Sequence, residues 1–500
     1  FHIMLPIEQV LRPTANGYTI VRAQFMYPLS DDFEDRYIRI EDGYVLSKDD
    51  LIIEVGKFTE EVNQRVLKLQ PLKIIGSKDH SIPMLKGILI PGFVKCHGHD
   101  HESPLIGLNK EAQLVEWLDK CVNPFTGFLN EQIKELTERY GCSPHLITYR
   151  KARIDDLTFG ITSAMTHHCN HNKYHVHEIA QANIEAGTKM VIAVGAQDRF
   201  YDKRILDSPE VAIKRMDEYF ELLKDAPRTR VVPGPDQCFS NGPDLLKALK
   251  KWAVEHDTLI HIHSSEEPGT TAWFVKTFGQ TPVEYFESIG FLDKRTVLAH
   301  QVNCTQHDLE ILRDTGAKIA HNPLANTILS SGMPPVRTMV EMGIPVAIST
   351  DGSGSADNQN MLAAARLTCQ YFRGLDKKYL FKAPQLIERV TRIPAEFIEL
   401  KAGRLQVGYS ADFVVFDCTK ANMVPTHIEN CVENLIWAAA GNEAQYVVSC
   451  GVELVENYKI VGTKFSAEKT LEQLEVLTRD FLQYRKNAAE ISDTGKRGAE

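Results

Sequence analysis

No run of this 500-residue chain approaches the roughly 18 uninterrupted apolar residues that a membrane span needs, so no transmembrane segment is expected. The N-terminal "FHIMLPIEQVLRP" lacks a basic leader followed by a long apolar core, so no signal peptide is read there. It also lacks an initial Met, which leaves open whether residues precede Phe1. Paired cysteine spacings are absent too. The ten cysteines are scattered, as reduced thiols of a cytoplasmic protein would be. Positive charge is in deficit: 56 Lys and Arg face 66 Asp and Glu, a net charge of −10. That balance offers nucleic acid or an anionic membrane no favourable field, so neither is an expected partner. What remains is an ordinary globular composition, 43% hydrophobic and 24% charged. The length suits one large domain with an appendage, or two to three ordinary domains.

The first ninety residues read as short strands, "YTIVRAQFMYP", "YVLSKDDLIIEVG", "KIIGS" and "GILIPGFV". Their β-branched and aromatic content, broken by Gly, Asp and Ser, suggests antiparallel β-structure. The same texture returns in "GRLQVGYSADFVVFD" and "QYVVSCGVELVENYKIVG", so the two ends of the chain are expected to pair as one small domain. The middle alternates differently. Eight short apolar runs, "FVKCHGH", "FGITSAMTHH", "KMVIAVGAQ", "RVVPGPDQ", "LIHIHSSE", "RTVLAHQVN", "AKIAHNP" and "IPVAISTDG", alternate with helix-like segments such as "SPEVAIKRMDEYFELLKDA". Eight strand–helix repeats describe a (β/α)₈ TIM barrel, an α/β architecture preferred here over an open doubly wound sheet. Near the C-terminus, Leu471, Leu474, Leu477 and Phe481 form an apolar helix face expected to dock on the body, with a polar tail after about 490.

In such a barrel the C-terminal strand ends make the active-site rim, and here those ends are rich in ionisable groups. The first run ends in His97-Gly-His99, the fifth in "HIHSSE" (His261 to Glu266), the sixth in His300, the seventh in His321 and the eighth in Asp351. Packing alone rarely places so many polar groups at strand ends, because each needs a partner once buried. Residues i and i+2 of a strand share a face, which lets His97 and His99 grip one metal. His99 and His101 share that spacing, so spacing leaves both pairs open.

"PGFVKCHGH" resembles the Pro-Gly-x-x-x-x-His-x-His signature of the amidohydrolase superfamily, whose two histidines ligate the catalytic metal. The resemblance implies His97 and His99 as ligands and leaves His101 outside. "LIHIHSSE" is similar to the His-x-x-Glu of the cytosine deaminase-like branch, which includes guanine, S-adenosylhomocysteine and triazine deaminases. It implies His263 as the third ligand and Glu266 as the proton-transfer residue. "VLAHQVN" matches the sixth-strand histidine, His300, and "ISTDG" the eighth-strand aspartate, Asp351. "AHNPLANTILSSGMPP" resembles the branch's His-Asn-Pro segment, and "VGYSADFVVFD" a strand of its accessory β-domain. The implied organisation is a small β-sandwich built from 1–88 and 401–464, a metal-dependent hydrolase barrel over 89–400, and a C-terminal helix with a polar tail over 465–500. Members with two metals carry a lysine at the end of strand four; "RVVPGPDQCFS" has none, so one metal per chain is expected, zinc first and iron as the alternative. Where relatives place a substrate-contacting histidine, Gln237 stands in. Homo-oligomers, dimers or larger, are also implied.

Three imidazoles and a carboxylate suit a borderline divalent ion with a position left for water, which becomes a hydroxide nucleophile near neutral pH. On this reading Asp351 ligates and accepts a proton, Glu266 shuttles protons, and His300 hydrogen-bonds the reacting centre. Gln237, His321, His167 and His168 are the expected substrate contacts. The expected activity is deamination of a small aminated N-heterocycle of purine, pterin, pyrimidine or triazine type by water. The alternative is a hydrolase with the same metal site that removes chloride or alkylamine, or opens a cyclic amide. Cys96 is read as a small buried residue. Arg199 and Arg204 are read as exposed arginines rather than an anion grip. The histidine-rich 166–178 is read as loop rather than a second metal site.

Overall fold

The computed structural model describes residues 5–497, and side-chain surroundings through residue 487. Each of the eight apolar runs carries one barrel strand: β1 Phe93–Lys95, β2 Ile161–His168, β3 Lys189–Ala196, β4 Thr229–Pro235, β5 Ile260–Ser264, β6 Thr296–His300, β7 Lys318–His321 and β8 Val346–Ile348. They form two four-stranded sheets, β1 to β4 and β5 to β8, with neighbours parallel and in chain order. One seam is stitched by a bridge between Gln237 and His263. The other is held by Ser349 Oγ, which donates to the His97 carbonyl (2.8 Å) and accepts from its N–H (3.2 Å).

Alternation decides what fills the barrel. Val94, Cys96, Met165, Val191, Ala193, Val232, Leu259, Val297, Ala320 and Ala347 form one interior cluster, plugged below by the Ala395–Ala402 region. Cys96 therefore lies in the packing, as its size suggested. The outward faces, Ile192, Val194, Ile260, Ile262 and Ile319 among them, pack under the helices.

The two ends of the chain do pair. One nine-stranded sheet runs in the order Lys459–Ile460, Val452–Glu456, Ala444–Ser449, Phe413–Asp417, Leu85–Pro91, Tyr18–Met26, Ile40–Lys48, Leu51–Lys57, with Leu72–Ile74 added on Tyr18–Met26. The sheet is mixed rather than antiparallel. Tyr18–Met26 runs parallel to both Leu72–Ile74 and Leu85–Pro91, because the long connection between them allows a crossover. "YVLSKDDLIIEVG" is a hairpin that turns at Asp49 (φ 53°). "GILIPGFV" serves two sheets: Leu85–Pro91 pairs with Phe413–Asp417 and β1 with β2. They divide at Gly92, where a Cβ would sit 2.2 Å from the Thr162 hydroxyl.

The C-terminal helix runs Ala467–Arg497, past the expected break near 490; the last three residues of the expected tail lie outside the described residues. Leu474, Leu477 and Phe481 pack with Phe125 and Phe128 of the segment after β1, whereas Leu471 is exposed. No described helix is long and apolar enough to cross a membrane.

Candidate active site

At the C-terminal end of the barrel, β1 stops at Lys95 and the chain bends at Cys96–His97 before an extended His99 (φ −136°, ψ 106°). His97 and His99 thus converge through a bend and not, as their spacing suggested, along one strand. On β5 the interior face carries Leu259, His261 and His263 in period-2 order, so His263 rises into the same space. Asp351 follows β8 in a left-handed conformation (φ 72°), and His300 ends β6 in another (φ 79°). Such backbone is uncommon outside glycine and persists where its surroundings hold it.

The donor atoms meet. His97 Nε2 lies 3.2 Å and His99 Nε2 3.4 Å from Asp351 Oδ1, and His99 Nε2 lies 3.2 Å from His263 Nε2. Four ligands around a tetrahedral zinc have edges of roughly 3.3–3.4 Å, given metal–ligand bonds near 2.0–2.1 Å. The other ring nitrogens fix the tautomers. His99 Nδ1 donates to the His167 carbonyl (3.0 Å) and His263 Nδ1 to the Asp236 carbonyl (2.8 Å), which leaves two Nε2 lone pairs facing each other. Burial pushes both imidazoles well below their usual pKa, so they are neutral. Facing lone pairs repel, and a cation between them removes the repulsion. The residues present fit a divalent ion. His97 Nδ1 stands 2.9 Å from Nε2 of His261, a ring stacked parallel to its own. His261 is an orienting residue that sequence reasoning left without a role, although it sits two positions before His263.

Glu266 and His300 flank the donor set. His300 Nδ1 donates to Asn326 Oδ1 (2.8 Å), and its Nε2 faces Glu266 Oε1 at 3.6 Å and Asp351 Oδ2 at 3.7 Å. Burial first, then the charges of Asp351 and Asp236, raises the Glu266 carboxyl well above its usual pKa, so it can hold a proton at neutral pH. Burial also lowers His300 to about 4. For Asp351 burial acts upward, but the neighbouring His97 and His99 hold it well below the carboxylate range. Glu267 does something else: its carboxylate caps the helix Pro268–Phe278, accepting from the N–H of Gly269 (2.7 Å) and Thr270 (2.6 Å).

The expected substrate contacts divide. Gln237 lines the cavity, together with Glu102, Trp117, Tyr201 and Asp236. His167 sits edge-on to His263 (4.7 Å between ring centres) and bonds the Gly234 carbonyl through Nε2, behind the ligands and off the cavity wall. His168 points to the other side of β2, bonded to Thr166 Oγ1 (2.9 Å), because adjacent strand residues face opposite ways. His321 is buried, with both ring nitrogens unpartnered, and does not reach the cavity. Of the four expected contacts only Gln237 is on the cavity wall; His167, His168 and His321 are not. Arg199 and Arg204 pair with Asp198 and Asp202.

The cavity measures only about 40 Å³. That is room for a water or so. Leu118, Asn170 and Tyr201 line both it and an outer chamber of about 580 Å³, which Phe200 and Trp273 also line. Leu118 opens a π-turn, Leu118–Val122, of the kind frequent beside functional sites.

Beneath the site lies a fully buried ionic network. Lys95 Nζ donates to Asp156 Oδ1 (2.7 Å) and Gln359 Oε1 (2.9 Å), and Arg153 pairs with Asp156 (3.0 Å) and Asp100 (2.7 Å). Gln359 Nε2 in turn donates to the Asp351 carbonyl (3.0 Å), tying the network to the left-handed residue. Replacing Lys95 with Met should cost about 3–5 kcal/mol of unfolding free energy, because it strands buried charges. Chemical denaturation measures this, and a loss under about 1 kcal/mol would contradict it.

Residues 88–452 match the amidohydrolase family, and the chain belongs to it. A 5-methylthioadenosine/S-adenosylhomocysteine deaminase of Aquifex aeolicus is 28% identical over 410 residues, covering 81% of this chain and 88% of that protein. An adenosine deaminase from Xanthomonas campestris with bound zinc superposes with a TM-score of 0.79 at 18% identity, over 94% of this chain and 100% of that one. An atrazine chlorohydrolase of Arthrobacter aurescens complexed with zinc gives 0.76 at 22% identity, over 92% and 100%. These likenesses establish the barrel fold, and the family resemblance read from the sequence is borne out. Neighbours crystallised with zinc, together with the buried His and Asp groups, support a divalent metal.

Proposed function

We propose that the chain is a divalent-metal-dependent aminohydrolase that replaces the amino group of a planar aminated N-heterocycle with oxygen and releases ammonia. The observation that carries this is the set of His97, His99, His263 and Asp351 donor atoms at 3.2–3.4 Å spacing with the buried Glu266 carboxyl beside it. The deaminase named among the relatives supports the same reading.

His97, His99, His263 and Asp351 would hold a divalent ion, which would lower the pKa of a bound water toward neutrality and so supply the nucleophile. Glu266 gives its proton to a ring nitrogen, which makes the amidine carbon electrophilic, then takes the remaining proton of the added oxygen as the C=O forms and passes it to the departing nitrogen. Asp351 would help hold the ion, and it accepts the water's proton and later returns it to Glu266; its Oδ2 faces His300. His300, its Nδ1 held by Asn326, presents Nε2 as an acceptor to the reacting oxygen. Gln237 contacts the ring. In sum, a C–NH₂ and a water become a C=O and ammonia.

The donor set favours one zinc per chain, with iron as the alternative. Lysine is absent from the cavity wall among the described residues, which supports a single ion. We also read the nine-stranded sheet as a sandwich: Val45 and Ile52 from one end of its strand order share a cluster with Val448 from the other. Residues 5–91 and 401–464 then form the β-domain and 93–400 the barrel. Ten free cysteines support a reducing, cytoplasmic setting.

The test is a panel of guanine, pterin, cytosine, adenosine and aminotriazines incubated with metal-replete protein. Ammonia release and a product about one mass unit heavier are expected for at least one ring, NH having been exchanged for O. Chloride loss or ring opening, with no ammonia from any ring, would move the assignment to the alternative hydrolase.

A further inference from the structure

Asp351 is buried and holds its φ at 72°, a conformation that a residue other than glycine keeps only where its surroundings fix it. Here a side chain eight positions on supplies the restraint: Gln359 Nε2 donates to the Asp351 carbonyl (3.0 Å). The orientation of that amide is itself decided. Lys95 Nζ (2.9 Å) and the Thr350 hydroxyl (2.6 Å) meet its other terminal atom, and an ammonium can only donate. That atom is therefore the oxygen, and the N–H side faces Asp351. Two donors on Oε1, one of them charged, polarise the amide and strengthen the bond its N–H gives. Gln359 is 1% exposed, so solvent does not compete for that bond. The same cluster reaches the chain beside two further ligands. Lys95 lies two positions before His97, and a Cβ on Gly98 would sit 3.1 Å from Lys95 Cε and 3.2 Å from the Asp351 carbonyl oxygen. Arg153, from the helix Pro144–Thr158, pairs with Asp100, the residue after His99.

We propose that Gln359 is a positioning residue for the metal site. It holds the Asp351 backbone in the left-handed form that brings the carboxylate to His97 Nε2 and His99 Nε2, and so sets how tightly a divalent ion is held and how well it works. The inference rests on the reading of the site given above and deepens it. Without the donor, the buried Asp351 carbonyl loses its partner and the left-handed residue loses its restraint. A return to ordinary backbone then swings the carboxylate away from the two imidazoles. Lys95 keeps Asp156 as its partner throughout (2.7 Å), so the fold itself loses little.

Gln359→Glu isolates the donor. The carboxylate keeps an oxygen for Lys95 and Thr350, has no N–H, and sets its second oxygen against the Asp351 carbonyl. Zinc affinity is measured by competition with a chromophoric chelator, the Tm of the metal-free protein by calorimetry, and kcat and KM by ammonia release. Zinc should bind at least tenfold more weakly than to wild type, and kcat at saturating zinc should fall at least tenfold. KM should stay within threefold and the metal-free Tm should hold. If Gln359→Glu does not fold, Gln359→Met, which keeps the length and removes both polar atoms, carries the same test at the same thresholds. A merely structural glutamine, there to answer Lys95, would be replaced by glutamate without loss of zinc. Zinc affinity within tenfold of wild type, kcat within tenfold, or a metal-free Tm that falls along with the affinity overturns the proposal. If wild-type protein releases no ammonia from any ring, the deaminase reading fails and the zinc affinities alone decide the role of Gln359. Ammonia release by wild type, with zinc held equally by the variant, has the opposite meaning.

Discussion

Glu266→Gln should keep its metal and its fold and lose at least roughly a hundredfold in turnover, the scale of lost acid–base catalysis. The amide preserves volume and some hydrogen bonding beside His300 Nε2, 3.6 Å away, but carries no proton to a ring nitrogen. The neighbouring acid provides the control. Glu267 faces the helix it caps, bonded to the N–H groups of Gly269 and Thr270, so Glu267→Gln should cost a little stability and little activity. Steady-state kinetics with metal analysis of both variants decides. Comparable losses from the two would mean that the loop, and not the His-x-x-Glu register, sets the chemistry.

His263→Ala should strip most of the metal, and His101→Ala should leave it largely in place. His263 brings a neutral Nε2 to within 3.2 Å of His99 Nε2, with its Nδ1 anchored on the Asp236 carbonyl, so its loss opens a side of the ligand set. His101 lines the cavity with its ring centre 5.4 Å from that of His99, and its Nδ1 has no partner. It has no short contact to Asp351 like those of His97 and His99. Elemental analysis after dialysis against a chelator measures both variants. Metal retained by the His263 variant and lost by the His101 variant would mean that the pair was wrongly chosen in "HGHDH".

The sequence displayed the barrel because its strands are short apolar runs ending in ionisable groups, and each such run became one strand. Strand boundaries were less visible. "GILIPGFV" is uniformly β-like, and nothing local says that Gly92 hands the chain from one sheet to another; that follows from the close approach of Thr162. The pair His97 and His99 was legible by spacing and resemblance, although the structure joins them through a bend that spacing cannot express. His167, His168 and His321 do not line the cavity, although a histidine near a strand end is expected to face the mouth; His167 packs behind the ligands on the Gly234 carbonyl. Alternation turns His168 away, and His321 stays buried within the wall. Asp236 lies within "RVVPGPDQ" and Glu102 three residues past His99, yet their place in the cavity depends on Tyr201 and Ser355, from distant segments. Gln359 and Lys95 were invisible for the same reason. Contacts across the barrel leave no trace in local pattern.

The most direct test of the account is to strip the protein of metal, add zinc back in measured amounts, and follow ammonia release from the best ring of the panel. The account predicts no release from the stripped protein and a rise that reaches its plateau at one equivalent per chain. Activity without metal, or a plateau only at two equivalents, would contradict it.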